Sequence, residues 1–175
     1  EGTVSPTNVT FTSGNWNSPQ TITVTGVDDL VDDGDVLYSI ITSATTSGDA
    51  LFNNLTVADV SVTNLNNDIA GVIVSPTSGL TTTEAGGTAT FTIRLATQPT
   101  QNVSITLSSS NTAEGNVSPT NVTFTSANWS VAQTITITGV NDDIDDGNIS
   151  YTIITSNATS TDTKYNNMNV ADVSG

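Results

Sequence analysis

Cysteine and histidine are both absent from the chain. Their absence excludes disulfides, thiol nucleophiles, the usual zinc centres and serine–histidine–aspartate chemistry. Positive charge is nearly absent as well. Lys164 and Arg94 stand against 17 acidic residues, giving a net charge of −15. With no basic stripe to neutralise phosphates, nucleic acid is excluded as a partner, and an anionic membrane surface would repel the chain. No apolar run approaches the roughly 18 residues of a membrane span, so no membrane insertion is expected. Without His or Cys only a carboxylate pair could do acid–base work, and nothing separates such a pair from metal ligands. The expectation is that the protein is not an enzyme.

What the chain has instead is a repeat. Residues 1–62 align without a gap to 114–175, with 40 identities in the 62 pairs. EGTVSPTNVTFTSGNW answers EGNVSPTNVTFTSANW, and the period of 113 residues is one domain-sized unit, too long for a solenoid. The expected division is 1–68, the C-terminal part of one repeat with its junction, and 69–175, a nearly complete second repeat lacking most of its last strand. NLNNDIAG at 64–71 marks the boundary. It is too short for a floppy linker, so adjacent repeats are expected end to end.

Helical periodicity is missing and alternation with period two is everywhere. Thr88–Leu95 places Ala89, Phe91, Ile93 and Leu95 on one face and Thr88, Thr90, Thr92 and Arg94 on the other. Val103/Ile105/Leu107, Val122/Phe124, Ile135/Ile137 and Ile149/Tyr151/Ile153 follow as inward sets. Val9/Phe11, Ile22/Val24, Val36/Tyr38/Ile40 and Val60/Val62 repeat the pattern in the first unit. Short one-side-wet strands with frequent turns predict an all-β fold, a two-sheet antiparallel sandwich of about seven strands per repeat.

The charge is gathered in two copies of one loop, GVDDLVDDGDVLY at 26–38 and GVNDDIDDGNISY at 139–151. If strands alternate up and down, one pole of the second unit collects Glu84, Asn111, Glu114, Asp142, Asp143, Asp145 and Asp146, and the exit of the first unit adds Asn66 and Asp68. So many like charges oppose folding unless a cation neutralises them. Oxygen-only ligands of this kind suit Ca²⁺. The plain alternative is that Asp-Asp and Asp-Gly are good turn residues on a solvated surface. The loop is not an EF-hand, since the 12-residue ligand pattern and its terminal Glu are missing.

A Glu in the first connection, an acid or Asn after the third strand, a Phe-containing strand, a Thr-alternating strand ending in Asp-Asp, an acidic Asp-Gly loop and a terminal NxND together resemble the Calx-beta domain. More narrowly, NW…QTITVTGVDD…DDGD…Y and SVTNLNNDIAG resemble the Calx-beta-like repeats of large bacterial surface and adhesin proteins. The resemblance spans the chain. It implies tandem Ig-like, Calx-beta-like sandwiches arranged end to end, calcium as cofactor, and an extracellular or cell-surface location in a bacterium. The ligands it implies are Glu84, Asn111 or Glu114, Asp142, Asp143 and Asp145/Asp146, and in the first unit Glu1, Asp28, Asp29, Asp32, Asp33 and Asp68. Leu30 stands opposite Asp143 and Asp28 opposite Asn141, so the two sites need not bind equally.

Asp49 and Asp162 lie in a loop at the other pole, where they either complete a metal site with the preceding repeat's linker or shape the turn. Trp16 and Trp129 read as plugs of the sandwich end rather than sugar-stacking platforms, and a glycan ligand is not favoured. The expected function is a calcium-rigidified structural repeat of a secreted or surface fibrous protein, its partners being adjacent repeats. The alternative is a filament subunit completed by strands from identical neighbours.

Overall fold

The structure is a computed structural model and describes residues 1–142, 144 and 147–175. All regular structure in it is β-strand. Contacts divide the chain into two units, Glu1–Asp29 with Asp33–Asn67, and Leu30–Asp32 with Asp68–Gly175.

The first unit holds β1 (Gly2–Ser5), β2 (Thr23–Gly26), β3 (Val36–Ile40) and β4 (Val60–Asn64). They form two separate antiparallel pairs, β1 with β2 and β3 with β4.

The second unit holds β5 (Val72–Ser75), β6 (Thr88–Leu95), β7 (Val103–Ser109), β8 (Gly115–Ser118), β9 (Asn121–Phe124), β10 (Gln133–Gly139), β11 (Thr152–Thr155) and β12 (Val173–Ser174). Two four-stranded antiparallel sheets result, in the orders β5-β6-β10-β8 and β12-β11-β7-β9. Alternation then does the packing. Phe91, Ile93, Leu95, Val117, Ile135 and Ile137 from one sheet meet Val103, Ile105, Leu107, Val122, Phe124, Ile153 and Val173 from the other in one buried core. Each such side chain, fully buried, contributes about 1.5–3 kcal/mol. The arrangement is all-β and consistent with a β-sandwich.

The expected strand through Val122 and Phe124 is β9, in the second sheet against β7, and β8 just ahead of it is a further strand, in the first sheet against β10. Pro119 lies between them, and a residue with no backbone N–H to give a ladder is a suitable place to change sheets. The next residue's carbonyl, that of Thr120, already accepts from Leu107 N at 2.8 Å, opening the new ladder.

The two repeats share their local pairing. β1 meets β2 with Gly2 opposite Gly26, and β8 meets β10 with Gly115 opposite Gly139, both displaced by 113. Likewise Ile40 faces Val60 and Ile153 faces Val173. A side-chain staple recurs too. Asp59 accepts from Thr42 N at 2.8 Å and from its hydroxyl, and Asp172 accepts from Thr155 N at 2.8 Å and from its hydroxyl. Asn15 and Asn128 each cap the turn that carries the tryptophan, accepting from Thr12 N and Thr125 N.

The tertiary environments differ, and here the expected core of the first unit is corrected. Phe124 and Ile135 are 0% exposed, whereas Phe11 and Ile22, at the same repeat positions, are 55% and 46% exposed. Asn8–Phe11 also forms no strand. Its counterpart β9 pairs only with β7, and among the described residues of the first unit no strand of that kind exists. Trp129 packs against the core of the second unit, while Trp16 is exposed.

Tyr165 fixes one end of the second unit's core. Its buried hydroxyl donates to the carbonyl of Thr97 at 2.7 Å and also meets Thr97 N at 3.2 Å and Thr97 Oγ1 at 2.7 Å. Tyr165→Phe leaves those groups short of partners inside a dry site and is expected to destabilise by about 1–3 kcal/mol, read by urea unfolding.

Candidate functional site: the acidic loops

Both acidic loops open directly from a strand end. In the first unit Val27 N donates to Glu1 O at 2.9 Å, and in the second Val140 N donates to Glu114 O at 2.9 Å. The loop therefore starts beside the glutamate that directly precedes β1 in one unit and β8 in the other. Gly34 and Gly147 hold φ of 83° and 78° at the loop bend, the left-handed region that glycine reaches without strain.

In the first unit the carboxylates take N–H donors from the end of β4 and the segment after it. Asn64 Nδ2 donates to Glu1 Oε2 at 3.2 Å and to Val27 O at 2.9 Å. Asn66 N donates to Asp35 at 3.0 Å, and Asn67 Nδ2 donates to Asp28 at 3.0 Å. Glu1, Asp28, Asp29 and Asp33 are all exposed, and Asn66 and Asp68 are half-buried. Asp32 lies in the second unit, where it accepts from Ala70 N at 3.0 Å and pairs with Lys164. The Lys164 hydrogen bond is the main reason its carboxyl sits below the ordinary value; Ala70 N adds to it and partial burial opposes it.

In the second unit Glu84 and Glu114 line one cleft of about 890 Å³, together with Ile144, Gly147 and Asn148 of the acidic loop and with Leu80, Tyr151, Ile153 and Val173. Three separate connections thus meet at one end of the sheets, as alternation of the strands requires. Asn111 lies in the same turn as Glu114 but points its side-chain oxygen at Ala113 N, 3.2 Å away. Asp142 closes a local turn, accepting from Ile144 N at 2.8 Å. The expected ligands Asp143, Asp145 and Asp146 lie outside the described residues.

Asp162 sits elsewhere and is the one acidic side chain buried among the described residues, 6% exposed. One carboxylate oxygen accepts from Thr100 N at 2.8 Å and Thr100 Oγ1 at 2.9 Å, and the other from Lys164 N at 2.9 Å. Burial raises its pKa and the charge of Asp32 raises it further, but the hydrogen bonds from Lys164 and Thr100 outweigh both, so the carboxyl lies below the ordinary value. Asp49 makes the same local turn, accepting from Leu51 N at 2.9 Å. Sequence reasoning missed Thr100 as the residue that fastens Asp162, because the two are far apart in sequence and only the fold joins them. It missed the Asp59 and Asp172 staples too, although their exact recurrence beside Thr42 and Thr155 was a usable signal.

The donor chemistry fits calcium, for Glu, Asp and Asn oxygens are all hard ligands. Among the described residues, however, no group of three or more acidic side chains is positioned to hold an ion. Among these residues too, no helix is long and apolar enough to cross a membrane.

No protein-family model matches the chain, and no curated protein matches its sequence. Among solved structures, the structure of WR4, a C. elegans MSP family member, aligns at 15% identity over 53% of this chain and 74% of that one, with a TM-score of 0.39. A likeness of that size carries no argument about function.

Proposed function

We propose that the chain is a structural repeat module of a secreted or surface-exposed fibrous protein, an Ig-like sandwich of the Calx-beta-like kind in tandem, whose acidic loops bind Ca²⁺ and whose rigidity is its non-enzymatic function. The observation that carries this reading is the recurrence of the same acidic loop at the same place in two repeats with the same strand register, Gly26–Tyr38 after β2 and Gly139–Tyr151 after β10. A turn need only be polar, but these loops carry several carboxylates each, beside Glu1 in one unit and Glu114 in the other. The self-repulsion of a chain at −15 is the term a divalent cation would remove.

Thermal or urea unfolding with Ca²⁺, with Mg²⁺ and with chelator tests it. Ca²⁺ at about 100 times its dissociation constant stabilises by about 2.7 kcal/mol. Extracellular calcium modules bind as weakly as ~1 mM, so the titration extends to about 10 mM. An unfolding curve unmoved over that range, or moved equally by Mg²⁺, sinks the calcium part of the proposal.

A further inference from the structure

The first unit exposes apolar side chains whose counterparts 113 residues later are buried. Val9, Phe11, Ile22, Val57 and Val60 are all exposed, and Val122, Phe124, Ile135, Val170 and Val173 are all core. In the second unit three of these positions have β6 and β7 as the neighbouring strands of their own sheets. Ile135 lies opposite Phe91 of β6, and Phe124 and Val122 lie opposite Val103 and Ile105 of β7.

We infer that these side chains together form an acceptor for a strand triplet of the β5-β6-β7 type, a polypeptide with the sequence pattern of residues 71–113 that is not already packed in its own unit. Identical residues at identical repeat positions take the same neighbouring strands, which names the occupant by its chemistry. An intact second copy is a poor donor. Its β6 is held between β5 and β10, and its β7 between β11 and β9, so neither strand has a free edge. Two first-unit faces meeting each other are disfavoured by charge. Residues 1–67 carry Glu1 and seven Asp with no Lys or Arg, whereas residues 71–113 carry one Glu and one Arg and are neutral. The inference is independent of calcium.

Backbone chemistry agrees. In the second unit Ser156 N donates to Thr106 O at 2.9 Å and Ser110 N to Thr152 O at 2.9 Å, so β7 binds β11 through main-chain groups as well as side chains. β3 is the repeat's counterpart of β11 and among the described residues is paired only with β4, leaving an edge ready for strand addition.

The test uses the full chain with Trp129→Phe, so that Trp16 is the only tryptophan. In one arm a synthetic peptide of residues 69–113 is added; in the other that segment is joined directly ahead of Glu1, as residue 113 directly precedes Glu114. The expected result in the joined arm is a shift of Trp16 emission to shorter wavelength and loss of rapid amide exchange at Asn8–Phe11, both abolished by Phe11→Asp. Saturable one-to-one binding of the free peptide with the same shift adds support. Trp16 remaining as exposed in the joined chain as in the unmodified one overturns the inference. So does concentration-dependent dimerisation of the unmodified chain that itself buries Trp16, because a second copy would then be the occupant.

Discussion

Phe124→Ala lowers the stability of the second unit by about 3–5 kcal/mol, while Phe11→Ala at the same repeat position lowers that of the first by less than about 1 kcal/mol. The two phenylalanines sit in the same local sequence, VTFTS, and their strand propensities are therefore equal. They differ in what lies over them. Phe124 is closed in by Val103 and the rest of the two-sheet core, so truncation removes buried area and leaves a cavity that a packed interior fills only in part. Phe11 gives up contact mostly with water. Urea unfolding followed by Trp129 in a Trp16→Phe chain reports the second unit, and by Trp16 in a Trp129→Phe chain the first. Equal losses at the two positions would mean that the first unit has a core after all. Joining residues 69–113 ahead of Glu1 is expected to raise the cost of Phe11→Ala toward that of Phe124→Ala, which ties the cost to the cover rather than to the residue.

The same pair of residues shows how far sequence reaches. Alternation located β6 and β10 closely, because Thr88–Leu95 and Gln133–Gly139 carry their face pattern in their own residues, but it also set Ile149 inward, and Ile149 is exposed and lies ahead of β11. It assigned the same inward role to Phe11 and Ile22, and the structure withholds it. A strand is a property of a pair. Asn8–Phe11 has the composition of β9 and no β7 to hydrogen-bond with, so its backbone stays irregular. β8 was hidden for a related reason, since its four residues, GNVS, carry a single apolar side chain, Val117, and so show no alternation to read. For the acidic site, parity brought Glu84, Glu114 and the 139–151 loop to one end of the second unit, where they line the same cleft. Whether their oxygens converge on an ion depends on side-chain directions, which periodicity does not encode. Among the described residues the acids instead serve N–H groups: Asp28 takes Asn67, Asp35 takes Asn66 and Asp142 takes Ile144. These are the bonds that make Asp a good turn residue, and a calcium loop must form in competition with them.

Asp162→Ala is expected to cost the second unit about 3 kcal/mol, since it strips acceptors from three donors around a buried carboxylate and each such loss is of order 1–3 kcal/mol. The donors are Thr100 N, Thr100 Oγ1 and Lys164 N, so two loops distant in sequence lose the same anchor at once. Asp162→Asn separates shape from charge. The amide keeps one acceptor oxygen but turns an N–H₂ group toward a donor at the other, so it too destabilises, by about 1–2 kcal/mol. The pH dependence follows from the lowered carboxyl. A group whose folded pKa lies below its unfolded value stabilises in full above the unfolded value and loses that contribution as pH falls through the folded one. With the ordinary value at 3.8, Asp162 contributes its stability at neutral pH and gives it up progressively below about pH 4, once protonation removes the charge that Thr100 and Lys164 solvate. Asp32, lowered by Lys164 and Ala70, titrates in the same window and with the same sign. The gap in unfolding free energy between the natural chain and Asp162→Asn should therefore be constant from pH 5 to pH 7 and narrow below about pH 4. A gap that persists unchanged into the acid range would mean that Asp162 holds its loop by shape alone, and that the charge at this position is not what the fold uses.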